Sequence, residues 1–180
     1  VDLPPGTGDI PLPLAQTIPI TGILVITTPQ DVASHVAVKA VSMFEKLNVP
    51  ILGVVENMSH FICPNCDDKH YIFGEGGGLK ISEQFKIPFL GEIPLNAGIM
   101  SGSDSGKPIM ITNPDSPGAV AFRKSAKNIA AQCSIQAAKL QEEMKAEKSE
   151  STDDTTTEST EKKAAPESTP EATAKPTTQN

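Results

Sequence analysis

Three observations predict an α/β protein with a doubly wound, mostly parallel sheet. The first is that three short runs are apolar throughout rather than alternating: residues 22–28 (GILVITT), 51–56 (ILGVVE) and 88–93 (PFLGEI). Runs of that length and composition read as strands buried on both faces. The second is that segments of helical length alternate with them, which favours a parallel sheet covered by helices. The third is a break in composition near position 146. From Ala146 to Asn180 the only apolar side chains are Ala, and the rest is Thr, Ser, Glu, Asp, Lys, Pro and two terminal amides. Such a segment buries too little apolar surface to offset its ordering entropy, so disorder is expected over 146–180. One domain is expected over residues 1–145.

The elements follow in chain order. Residues 1–3 read as the last turn of a strand, stopped by Pro4-Pro5-Gly6. After the strand at 22–28, Pro29 precedes Asp31, which stands where an N-cap would. A helix is expected over 32–47, with Val36, Ala40, Met43, Phe44 and Leu47 on one face. Pro50 ends the connection into the strand at 51–56. A polar loop containing two cysteines, a glycine-rich turn at 74–78 and a short helix near 79–85 lead to the strand at 88–93. A last helix is expected from about Ser116 to Lys145.

Composition narrows the function. The formal net charge is −7, more than half of it from the segment after position 145. An acidic chain argues against a nucleic-acid partner, which needs a basic footprint. No apolar run approaches the roughly 20 residues of a membrane-spanning helix, and no secretory leader is visible, so no membrane partner and a cytoplasmic location are expected. Three cysteines, two of them in a CxxC, are not a disulfide framework. In a reducing compartment that spacing reads as metal or redox chemistry.

Three segments carry candidate chemistry. In VDLPPGTGD (1–9), Asp2 stands at the end of an expected buried strand, where α/β sheets bind ligands. Followed by a glycine turn it suits a magnesium–phosphate site, with Asp2 on a magnesium-bound water and the Gly6 amide approaching a terminal phosphate. The bland alternative is a proline-rich turn with an incidental carboxylate. In VVENM (54–58), Asn57 at a strand end can pair with a purine edge through its amide, although such residues more often cap the following turn. The third segment is Cys63-Pro64-Asn65-Cys66. Two thiolates this close bind one face of a soft metal or a cluster. The missing half-site comes either from His60 and His70, in H-x2-C-x2-C-x3-H, or from the same loop of a second subunit across a two-fold axis. A redox dithiol is a third option, disfavoured because such motifs open a helix. The run at 74–78 lacks the strand–GxGxxG–helix context of a dinucleotide fingerprint and is expected to serve as a tight turn.

Taken together, VDLPPGTGD, TTPQDVA, VENMSHFICPNC and IFGEGGG resemble the Mrp/ApbC-type P-loop ATPases, iron–sulfur cluster carriers related to MinD and the nitrogenase iron protein. The resemblance runs in order from Val1 to about Pro108 and more weakly to about Ala130. It implies a deviant Walker A fold, homodimerisation, ATP and Mg2+ binding with slow hydrolysis, and a labile [4Fe–4S] cluster shared between subunits and passed to recipient apoproteins. Carried onto this chain, Asp2 resembles the Walker B aspartate and Gly6 the γ-phosphate-sensing glycine of switch II. Asn57 resembles the adenine-contacting residue, and Cys63 with Cys66 the cluster-bridging pair. Asp9 falls in the same motif without an assigned role. The family's KGGVGK-type phosphate loop is not among these residues. Because that loop supplies most phosphate contacts, the chain is expected to be the C-terminal part of a longer ATPase, with hydrolysis a property of the full-length protein. Without the strand that carries the loop, apolar sheet surface is expected to be left uncovered. The competing reading is a MinD-like ATPase with structural zinc at the Cys loop.

Overall fold

A computed structural model describes residues 1–4 and 10–150, the last five of these as backbone only. The chain divides into two units, Val1–Met144 and Lys145–Asn180, and all the core residues named below lie in the first.

Among the described residues ten elements follow one another: α1 (Pro11–Thr17), β1 (Ile23–Thr27), α2 (Asp31–Lys46), β2 (Ile51–Ile62), β3 (Lys69–His70), α3 (Gly77–Phe85), β4 (Phe89–Leu95), α4 (Ala97–Asp104), α5 (Ile109–Thr112) and α6 (Pro117–Glu150). Central strand β2 pairs in parallel with β1 on one side and β4 on the other, and its far end pairs antiparallel with the two-residue β3. The three parallel strands are those expected from the apolar runs.

Both faces of the sheet are covered, as an all-apolar strand requires. Successive side chains of a strand point to opposite faces. Val25 and Val54 meet Ala37 and Val41 of α2 and Ile81 of α3 in one core cluster. Val55, Leu90 and Ile93 face the other way, against Ile99 of α4 and Ala121 and Ile129 of α6. The Asn128 side-chain amide of α6 also donates to the Leu90 carbonyl at 2.8 Å, tying that helix to β4. The helix starts are set locally. Asn96 caps α4 by accepting the Gly98 N–H at 2.7 Å, and the Ser116 hydroxyl accepts from Ala119 N at 3.3 Å at the start of α6.

Several expectations are corrected. Residues 1–3 form no strand; Val1–Pro4 has no regular secondary structure, because a strand exists only where a neighbour completes its ladder. Asp31 is the first residue of α2 rather than its cap: Gln30 holds the cap position without a side-chain hydrogen bond, and Asp31 instead favours the positive end of the helix dipole. The buried stripe of α2 is Ala37, Val41 and Phe44, and Val36 is exposed. The strand ending at Glu56 in the sequence reading continues to Ile62, through a break in register: four steps from Asn57 to Phe61 are matched by two, from Ile93 to Leu95, on β4. Met58 takes the left-handed conformation there (φ 55°), which absorbs the extra length as a bulge. Helix α6 runs to Glu150, five residues past its expected end. Gly6, Asp9 and residues 151–180, which hold most of the expected disordered segment, lie outside the described residues.

Candidate metal and nucleotide sites

The Cys loop is the turn of a short hairpin. Strand β2 ends at Ile62, the chain turns through Cys63–Cys66, and β3 returns with Phe61 opposite His70 and Ile62 opposite Lys69. Two backbone hydrogen bonds close the turn. Cys63 N–H donates to the Asp68 carbonyl, and Asp67 N–H donates to the Cys63 carbonyl, both at 2.9 Å. Asp67 adopts φ 59°, a left-handed position that an Asp tolerates better than most residues.

This closure brings three donor atoms together. The Cys63 and Cys66 sulfurs and a ring nitrogen of His70 all lie within 4.8 Å of one another. Cys63 is partly buried, whereas Cys66 and His70 are exposed. Backbone N–H groups of Asn65 and Cys66, and then the Cys66 thiol, donate to Cys63 and hold its thiol below the ordinary cysteine range. Partial burial and the Asp67 carboxylate oppose that shift. The thiolate is the form that binds metal, so the shift runs in the direction that ligation would need. A small cleft of about 460 Å³ opens beside Cys63, walled by Phe61, Ile62, Pro94 and Leu95.

His60, the other candidate half-site histidine, does not join this group. Strand alternation puts His70 on the face of its partner Phe61, while His60 and Tyr71 share the opposite face, their rings 6.2 Å apart. His60 is buried, with Nδ1 3.3 Å from the Ser59 hydroxyl and 3.7 Å from a Glu92 carboxylate oxygen. Burial, and then the charge of Lys69, lower its proton affinity below the ordinary 6.5, against the pull of Glu92 and Glu56. The four-ligand set of His60, Cys63, Cys66 and His70 is therefore replaced by a three-ligand set. The hairpin pairing, with the CxxC as its turn, is the signal that would have separated the two histidines.

Asp2 and, from the middle of β2, Asn57 border one large cavity of about 1100 Å³ on the outer side of β1. Thr27 and Thr28, at the C-terminal end of β1, border it as well, where parallel sheets take ligands. Much of its wall is apolar: Leu14 and Ile18 from α1 and its exit, Val36 and Ala40 from α2, and Ile26 of β1. Ile26 is 54% exposed in mid-strand. Among the described residues β1 pairs only with β2, so this edge is the uncovered sheet surface expected from the sequence. Asn57 spends its side-chain oxygen locally, accepting the Met58 N–H at 3.0 Å, and keeps its amide NH2 for other partners.

Sequence reasoning missed Glu56. Its carboxylate is buried in the sheet and accepts the Gly78 N–H at 2.6 Å, at the start of α3. It thereby satisfies one of the orphan donors of that helix and meets the positive end of its dipole. The glycines of the GEGGG run make the approach possible. A Cβ at Gly78 would lie 3.1 Å from the Glu56 Cβ and 3.2 Å from the Phe89 ring, and one at Gly77 would lie 2.7 Å from the Pro29 carbonyl. The run is thus a close-packing device as well as a turn.

Residues 1–130 match the family described as ParA, NUBPL iron-transfer P-loop NTPase. The chain belongs to that family. Its α/β, doubly wound, mostly parallel sheet is accordingly that of a P-loop NTPase, with four strands among the described residues. It is 48% identical over 134 residues to the iron–sulfur cluster transfer protein NUBPL of Dictyostelium discoideum, covering 74% of this chain and 42% of that protein. It is also 48% identical over 132 residues to the iron–sulfur cluster carrier protein of Escherichia coli K12, covering 73% of this chain and 36% of that one. Among solved structures, a nucleotide-binding protein of Archaeoglobus fulgidus in complex with ADP, with cobalt, superposes with a TM-score of 0.55. That match is at 38% identity and covers 67% of this chain and 48% of the other. The chain therefore spans about two fifths of the length of the two carrier relatives. No helix among the described residues is long and apolar enough to cross a membrane.

Proposed function

We propose that this chain is part of an ATP-dependent iron–sulfur cluster carrier, with the cluster as cargo on Cys63 and Cys66. The observation that carries the reading is the pairing of those thiols at the tip of the β2–β3 hairpin, in a family described by iron transfer. Two thiolates supply half the ligands of a four-iron cluster, so the cargo is a [4Fe–4S] cluster bridged by the same loops of two chains in a homodimer. Recipient apoproteins would take it from this exposed tip, which leaves Cys66 open to an incoming thiolate.

The nucleotide belongs at the cavity beside β1. Asn57 offers its free amide to the base, Asp2 its carboxylate to a magnesium-bound water, and Gly6 its amide to the terminal phosphate. Hydrolysis of ATP is a property of the longer protein, whose phosphate loop completes that site, and the carrier works in the cytoplasm. Asn57 and Cys63 lie on one strand and its turn, about 20 Å apart at most for six extended residues, with the bulge at Met58 between them.

The deciding measurement is iron, zinc and acid-labile sulfide per chain after anaerobic reconstitution of the full-length protein. About two iron and two sulfide per chain are expected for one four-iron cluster per dimer. Absence of acid-labile sulfide after reconstitution refutes the carrier reading, whatever the zinc content.

A further inference from the structure

The cluster reading uses two donors from each chain, yet the hairpin assembles three. We propose that Cys63, Cys66 and His70 also form a complete mononuclear site within one chain for a thiophilic divalent cation, with the fourth tetrahedral position left to an exogenous donor. The ligand class is an ion of the Zn2+ or Fe2+ type, for which thiolate and imidazole are the preferred donors.

Four observations carry this. The three donor atoms lie within 4.8 Å of one another without any ion to gather them. A tetrahedral ion with bonds of about 2.0 to 2.3 Å needs its donors about 3.5 to 3.8 Å apart, so side-chain rotation alone closes the set. The backbone frame is already built: both turn hydrogen bonds and the pairing of Phe61 with His70 hold the loop shut. His70 is exposed and stands on the side of the hairpin away from the His60–Tyr71 pair. His60 is committed elsewhere, to Ser59 and Glu92, so no fourth protein ligand comes from the nearest candidate.

Binding is balanced simply: the two thiols lose their protons to solvent, the neutral imidazole donates a lone pair, and the loaded centre is neutral before the fourth ligand arrives. An open position is the arrangement that metal sites use when a ligand must exchange. A single chain can then hold one ion on thiols that a dimer would use for a cluster, and the two states are mutually exclusive on a given Cys pair.

The test is titration of the reduced, metal-free 180-residue chain with Co2+, followed by competition with Zn2+. One equivalent per chain is expected, with the ligand-field bands of tetrahedral cobalt and thiolate-to-metal charge transfer. Since loss of a mere supporting residue costs 10- to 100-fold in metal affinity, His70→Ala should weaken binding by at least about 100-fold. His60→Gln should leave it unchanged. X-ray absorption of the zinc-loaded chain should show two sulfur neighbours and one imidazole, the imidazole vanishing in His70→Ala. Because His70 is exposed, that variant keeps the fold, which circular dichroism verifies. Saturation at half an equivalent per chain, equal affinity in His70→Ala, or no imidazole in the absorption spectrum overturns the proposal. The cluster reading is judged separately, by sulfide content, and stands or falls independently of the Co2+ result.

Discussion

The middle of β2 and its far end are built in opposite ways. Around Glu56 the strand is buried between its neighbours, and its side chain is satisfied by a backbone N–H twenty-two residues away. From Ile62 onward it emerges as a hairpin tip whose donors come from eight consecutive residues and whose hydrogen bonds are local. Between them sits the bulge at Met58. The first region depends on three elements packing correctly; the second depends on a turn. Damage to the first should therefore cost stability, and damage to the second should cost ligation alone.

Four experiments break or sharpen that contrast. The largest effect is expected at the tip: Cys63→Ala or Cys66→Ala should abolish iron and sulfide loading in the reconstituted protein. The same variants should leave the unfolding free energy in urea within about 0.5 kcal/mol, as for substitutions in a surface turn. A large loss of stability would mean that the hairpin is part of the core. Next, Glu56→Ala strands the buried Gly78 N–H and leaves a void, and should cost about 2–4 kcal/mol in denaturant unfolding. Its metal affinity, measured where the variant is still folded, should be that of the parent; a parallel loss would show that the two regions are coupled through the bulge. Gly78→Ala forces a methyl against Glu56 and Phe89 and should cost about 1–3 kcal/mol by overpacking.

The smallest effect concerns acid. His60 binds its proton less readily when folded than when unfolded, chiefly because it is buried. Its contribution is fully present above the ordinary value of 6.5 and is lost as pH falls toward the lowered folded value. Stability should drop as pH falls below the ordinary value of 6.5, and His60→Gln should flatten that part of the profile. An unchanged slope in the variant would remove His60 from the account.

Much of the fold was legible because buried parallel strands have a local signature. The runs at 22–28, 51–56 and 88–93 are apolar on both alternating faces, and all three became parallel strands of one sheet. Where residues 1–3 were read as a strand, no ladder forms, because pairing depends on a neighbour and not on propensity. The α2 stripe was misread because that helix carries two apolar faces. Ala37 and Val41 pack in the sheet core, Val36 and Ala40 border the cavity beside β1, and Ala37 and the buried Phe44 border that cavity as well. Periodicity alone cannot rank two such stripes.

By itself the sequence determined the parallel α/β class and the CxxC pair, since strand burial and turn chemistry are written in neighbouring residues. Its motifs carried the resemblance to cluster carriers that the family match bears out. Tertiary structure decided which histidine stands with the cysteines, because a hairpin register turns alternate residues to opposite faces and only pairing sets that register. It also decided the partner of Glu56 and the reason for two glycines at 77 and 78, where α3 crowds the Pro29 carbonyl and Ser34 at one position and Glu56 and Phe89 at the other.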